Sequence, residues 1–216
     1  PKVDNAKLRY LSPTEIDMLL KELAKISQAV HDQALLAVNA GLRFSEIAGL
    51  TWQDVNFETR TLSIRDAKTG SRTAFMNAPV TEMLERRKKE TTGEIVFPAE
   101  KSEGEDEPDT EKEFRQTAIS KTFQRVADLL FNKGVDDRRL RVSFHTLRHT
   151  FGSLIYQQTG DVYLAGKALG HKTLVMAMRY AKQSEVKLRQ AFESMVSIVE
   201  SGKVKTDNGQ VVNFTK

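Results

Sequence analysis

Cysteine is absent from all 216 residues. That removes disulfide staples, thiolate nucleophiles and cysteine-based zinc sites, and it fits a reducing compartment. Long apolar runs are missing as well; no stretch approaches the roughly 20 residues a membrane helix needs. No signal peptide is visible in the polar opening Pro1-Lys2-Val3-Asp4. A cytoplasmic protein without a membrane partner is therefore expected. What is present is ordinary for one globular domain: 39 % of the residues are hydrophobic, enough to build a core.

The formal net charge is +4, but it is unevenly spread. Between Glu100 and Glu113 there are eight acidic residues against two lysines, a net of −6, which leaves the remainder at +10. A basic body with one acidic excursion points to a polyanionic partner, although a solvated surface of mixed charge has the same composition.

No internal repeat is visible, and the periodicity is mostly helical. Ser12-Pro13-Thr14-Glu15 combines a Ser N-cap, Pro at the first helical position and Glu three residues after the cap. Ile16, Leu19, Leu20, Leu23 and Ile26 follow at helical spacing. A second helix is predicted from Val30 to Ala40 with Gly41 as its stop, and a short third one capped by Ser45. Thr61–Ile64 and Arg72–Met76 read as strands around a Lys68–Ser71 turn. Pro79 starts another helix, with Val80, Met83 and Leu84 on one face. Ile95–Phe97 is a short strand or core loop. The acidic stretch, about 98–115, reads as a loop insertion. Helical spacing resumes at Ile119, Phe123, Val126 and Leu130. Further helices are predicted over Thr146–Tyr156, Asp161–Leu169, Thr173–Ala181 and Ser184–Glu200, before a polar tail from Ser201. The expected class is mainly α (α+β), a helical core with a small antiparallel sheet.

Transfer of a phosphodiester without a metal needs a nucleophile in line with phosphorus, cations on the non-bridging oxygens, a base and an acid. Arginine suits the clamp because its planar fork makes paired hydrogen bonds and keeps its proton; lysine suits the acid because its pKa is tunable. The chain offers Arg43 in Gly41-Leu42-Arg43-Phe44-Ser45-Glu46, and Lys68 before Thr69-Gly70. It also offers His145 and Arg148 in His145-Thr146-Leu147-Arg148-His149-Thr150-Phe151, His171 in Leu169-Gly170-His171, and Tyr180 nine residues later.

Taken together and in this order, these segments resemble the catalytic domain of the tyrosine recombinases, or phage integrases, from about Leu11 to Phe192. The resemblance implies a role for each residue. Tyr180 is the nucleophile that forms a 3′-phosphotyrosine. Arg43 and Arg148 clamp the phosphate. Lys68 protonates the leaving 5′ oxygen, His145 is the base, and His171 donates to the phosphate. No metal or other cofactor is implied, because the phosphotyrosine bond conserves the energy of the broken linkage. Arg72, Lys167, Lys172 and Arg179 are candidate DNA contacts, the last three also readable as ordinary surface cations. His149, four residues after His145, is read as structural, since no further ligand accompanies the pair.

The implied activity is site-specific DNA recombination, integration or excision, on a double-stranded recombination site. The alternatives are type IB topoisomerase-like relaxation and a non-catalytic DNA-binding relative. Residues 1–200 would form the catalytic domain. Residues 201–216 would be a tail, and the apolar face of the last helix would either complete its own core or pass to a neighbouring protomer. Members of the family carry an N-terminal core-binding domain, which the few residues before Leu11 do not supply. The expectation is weak DNA binding by a monomer in this form, and a homo-tetramer on DNA at full length.

Overall fold

The structure, a computed structural model, describes residues 9–65, 70–98, 121–171, 173 and 176–178, with the backbone of 203–205 and 211–213. Helix α1, Pro13–Ile26, begins with the expected capping box: the Ser12 side chain accepts the Glu15 N–H, and Glu15 accepts the Ser12 N–H at 2.8 Å. It ends at Ser27, whose N–H donates to the Leu23 carbonyl and whose side chain accepts from the Val30 N–H. One serine thus closes α1 and opens α2, Gln28–Ala40, which starts earlier than the apolar spacing alone predicts.

Helix α2 is the axis of the molecule. It packs against α1 and against two later helices, α4 (Ala78–Glu90) and α6 (Phe144–Thr159). Its burial takes in Asp32, which is fully buried. The Asp32 carboxylate accepts from Arg86 at 2.5 Å and Arg87 at 3.1 Å on α4, and from Gln28 at 2.9 Å. A buried carboxylate persists only when paired and hydrogen-bonded, so the Arg86-Arg87 pair fixes α4 against α2. Its burial raises the Asp32 pKa, but the hydrogen bonds from His31, Arg86, Gln28 and Arg87 outweigh that and hold it below its ordinary value of 3.8.

Gly41 stops α2 in a left-handed conformation (φ 66°), as expected. The next helix, α3 (Phe44–Ala48), is capped by Arg43 rather than by Ser45. The reason is Glu46: its carboxylate accepts the Arg43 N–H at 2.8 Å, so the helix has already begun at Phe44. A 3-10 turn at Trp52–Asp54 leads into an antiparallel sheet of β1 (Val55–Asn56), β2 (Thr61–Ile64) and β3 (Arg72–Phe75), in the order β1-β2-β3. Leu62 pairs with Ala74 and Ile64 with Arg72, so Leu62, Ile64 and Ala74 face the core together. The residue pair Val55–Asn56 carried too little alternation to be read as a strand. Ile95, Val96 and Phe97 are buried as a core segment, with one bridge from Ile95 to Thr51.

Asn77 caps α4, Pro79 occupies its first turn, and Val80, Met83 and Leu84 are buried as predicted. Helix α5, Lys121–Ala127, runs into a π-helical turn at Asp128–Asn132. The predicted helical face is kept at Phe123 and Val126, but the winding widens before Leu130. Asn132 explains how the turn ends: its buried amide bonds both the Val142 N–H (2.7 Å) and the Val142 carbonyl (2.9 Å). Helix α6 and helix α7 (Val162–Leu169) follow, with Asp161 accepting the Tyr163 and Leu164 N–H groups. In the tail, where no strand was expected, β4 (Lys203–Lys205) pairs antiparallel with β5 (Val211–Asn213). The predicted helix over Ser184–Glu200, the acidic insertion beyond Pro98, and Ile119 lie outside the described residues. Among the described residues no helix is long and apolar enough to cross a membrane.

Candidate active site

Two of the motifs meet through aromatic packing. Phe144 lies edge-on to Phe44 at 5.5 Å and to Phe123 at 5.1 Å. Edge-to-face pairs of this kind favour one relative orientation. The start of α6 is thereby set beside the start of α3, and Arg43 and His145 are the chain neighbours of the two facing rings. His145 is exposed, while Arg148, one turn later, is only 3 % exposed. The two residues expected to share a face are thus unequally buried.

Arg148 joins three motifs. One terminal nitrogen donates to the Gly41 carbonyl at 2.5 Å, and the other donates to the Leu169 carbonyl. Gly41 lies two residues before Arg43, and Leu169 two residues before His171. A planar guanidinium satisfies two buried carbonyls at a fixed separation, so its position sets the separation of the Arg43 and His171 segments. The His171 N–H donates to the Gly166 carbonyl at 2.9 Å, which holds it at the end of α7.

Glu46 is the residue that sequence reasoning missed. Its side chain is 4 % exposed. It pairs with Arg43 at 2.7 Å, with Arg72 at 2.7 Å, and lies 3.6 Å from Arg148. Three guanidinium groups around one carboxylate would otherwise repel one another; the buried negative charge is what lets them converge. The available signal was the Arg43-x-x-Glu46 spacing of a capping box, read as a motif letter without a role.

Arg72 was expected as a DNA contact. Its side chain instead points inward and is 11 % exposed. Besides Glu46, it reaches the Ala168 carbonyl at 3.4 Å and the Gly41 carbonyl at 3.5 Å. Its stem lies on Gly170, which has φ +66°; a Cβ there would sit 2.4 Å from the Arg72 Cδ. Lys167 is exposed on α7, and His149 is buried at 3 % exposure.

Tyr180, Lys68, Lys172 and Arg179 lie outside the described residues. The helical residues 176–178, just before Tyr180, are held against α7: Ala177 is buried, and a Cβ at Gly166 would lie 2.9 Å from its Cβ. Among the described residues no group of three or more His, Asp or Glu side chains is placed to hold a metal ion.

The described residues form a helical core with a small antiparallel sheet, and Arg43, His145, Arg148 and His171 come to it from three separate motifs. The phage integrase family model matches residues 9–186, and the chain belongs to that family. Tyrosine recombinase XerA of Pyrococcus horikoshii is 26 % identical over 89 % of this chain and 63 % of the relative. The integrase of Salmonella phage P22 is 27 % identical over 84 % of this chain and 45 % of the relative. The chain thus spans less than two thirds of the length of these curated relatives. The solved Tn1549 transposon integrase, in complex with transposon right end DNA, shares the fold with TM-score 0.68 at 20 % identity, covering 91 % of this chain and 68 % of that one. A crystal structure of XerA recombinase does so with TM-score 0.65 at 18 % identity, covering 88 % and 66 %.

Proposed function

We propose that this chain cuts and rejoins double-stranded DNA at a specific recombination site through Tyr180. The observation that carries the reading is the Arg148 guanidinium, which bridges the backbone of the Arg43 segment and the His171 segment. Arg43 and Arg148, from distant motifs, are gathered there beside the buried Glu46 carboxylate, and paired guanidinium donors are what a phosphate clamp requires. The Tn1549 integrase and XerH recombinase were solved bound to DNA, which supports DNA as the partner.

In the proposed reaction the Tyr180 Oη attacks the scissile phosphorus and gives its proton to His145. The bond from phosphorus to the 5′ oxygen breaks, and Lys68 protonates that oxygen. Arg43 and Arg148 take up the charge on the non-bridging oxygens, and His171 donates to one of them. A 3′-phosphotyrosine and a free 5′ hydroxyl result. A second 5′ hydroxyl then attacks the adduct and releases Tyr180, so the number of phosphodiester bonds is unchanged. Residues 1–200 form the catalytic unit in this reading, residues 201–216 form its tail, and four protomers assemble on paired sites.

Covalent trapping tests the proposal. The chain is incubated, without added divalent metal, with nicked duplexes randomised around the nick. A protein–DNA band that survives denaturation, carries a kinase-labelable 5′ hydroxyl and vanishes in Tyr180→Phe is expected. Equal bands from both proteins, or none from either, would overturn the reading. Relaxation of supercoils without exchange between two recovered sites would move it to the topoisomerase class.

A further inference from the structure

We infer that Arg72 is a positioning residue of the phosphate clamp and touches no DNA. The inference rests on the strand-transfer reading above. Arg72 is a cation on β3 facing a supposed DNA site, so a phosphate contact is the obvious role. Its geometry argues otherwise. One guanidinium nitrogen is 2.7 Å from Glu46, whose other oxygen is 2.7 Å from Arg43. The same side chain reaches carbonyls on both sides of the site: Gly41, at the end of α2, and Ala168, at the end of α7. Its stem occupies the space that a Cβ at Gly170 would need, immediately before His171.

Three consequences follow from that placement. Arg72 neutralises the second oxygen of Glu46, which leaves the first oxygen to orient Arg43. It fixes the C-terminal turn of α7, and so the backbone from which His171 projects. It also ties the β2–β3 hairpin to both. A long side chain wedged under a left-handed glycine and bonded at both ends has one conformation available. Arg43 and His171 inherit that fixity, whereas in water an exposed arginine samples many rotamers. Displacements of about 1 Å in such groups lower a reaction rate by roughly 10²-fold.

The test uses the sequence recovered from wild-type adducts, resynthesised with either a phosphate or a neutral methylphosphonate at the scissile position. Arg72→Ala and Arg72→Lys are compared with wild type at saturating DNA. Arg72→Lys retains one charge near Glu46 but not the two carbonyl contacts, so it is the variant expected to fold; thermal melts check both. Single-turnover cleavage of the phosphate is expected to fall roughly 10²-fold in each. On the methylphosphonate, which has lost the charge the clamp neutralises, the deficit is expected to shrink to less than about 10-fold. DNA affinity is expected to keep its slope against salt, because no phosphate contact is lost; loss of one contact lowers that slope by about 0.9.

A variant with wild-type cleavage overturns the inference, as does an equal deficit on both substrates, which a merely damaged fold would give. A reduced salt slope overturns it in favour of a DNA contact. Absence of an adduct from the wild-type chain is a different result: it removes the strand-transfer reading, and this inference with it.

Discussion

Arg148 donates across 107 residues of chain to the carbonyl of Gly41 at 2.5 Å. The contact is a side chain of α6 holding the backbone that presents another arginine, so Arg148 supports the Arg43 segment whatever its own part in the proposed reaction. Lysine in its place keeps the charge but reaches only one carbonyl. Arg148→Lys is expected to lose about 1–3 kcal/mol of stability, the penalty for a buried carbonyl without a donor. Its adduct formation is expected to drop by roughly 10²-fold or more. Urea denaturation and the trapping assay measure the two effects separately.

Neutralising the hub has a different signature. Glu46→Gln keeps the shape but leaves Arg43, Arg72 and Arg148 near one another without a counter-charge. The arginines are expected to spread. Cleavage falls by roughly 10²-fold, while affinity for DNA is unchanged or higher, since net positive charge increases. A proportional loss of binding and cleavage would show that Glu46 serves only the fold.

The Asp32 cluster gives the molecule an acid limit. With its folded pKa held below the ordinary 3.8, this carboxylate contributes stability that is fully present above that value. The contribution is lost as pH falls through the folded pKa. Unfolding free energy is therefore expected to decline with acid from about pH 5 downwards, and to decline less steeply in Asp32→Asn. Denaturation curves of both proteins between pH 3 and pH 7 check this; parallel curves would remove Asp32 as the cause.

Gly166 meets the segment that leads to Tyr180. A Cβ there would lie 2.9 Å from the Cβ of Ala177, so Gly166→Ala should push the 176–178 turn away from α7. Adduct formation is expected to drop several-fold even though Ala is the better helix former by about 1 kcal/mol. Gly166→Ala with Ala177→Gly relieves the contact and should restore activity. A double-mutant cycle on adduct yield reads the coupling directly.

The helices were legible wherever a cap and an apolar stripe coincided. Ser12 with Glu15, Gly41 after Ala40, and Val80, Met83 and Leu84 after Pro79 all stand where the sequence pattern placed them. Local signals failed where a distant partner decided the outcome. The π turn after α5 ends where Asn132 is held by Val142, ten residues on, whereas the start of α3 was open to local reading, since Glu46 reaches back only three residues to Arg43. At the candidate site, residue type and order singled out Arg43, Arg148 and His171, whose segments the structure brings together. The geometry that unites them was not legible, because a cation's sequence neighbours do not reveal which way it points. The inward turn of Arg72 was not visible in the sequence for that reason, and Asp32, an isolated acid on an apolar helix, gave no hint of its two arginine partners.

The bonds made by Arg148 have a temporal meaning as well. They join residue 41 to residue 148, and residue 148 to residue 169. Such long-range contacts form only after a large loop has closed. During synthesis the segment with Arg43 and Glu46 leaves the ribosome about a hundred residues before α6. Through that interval Glu46 and then Arg72 are present, but the α6 side chain that ties Gly41 to Leu169 is not. A truncated or half-made chain therefore carries the motif letters without the bonds that join them, and their common geometry arises only when the whole domain has closed upon itself.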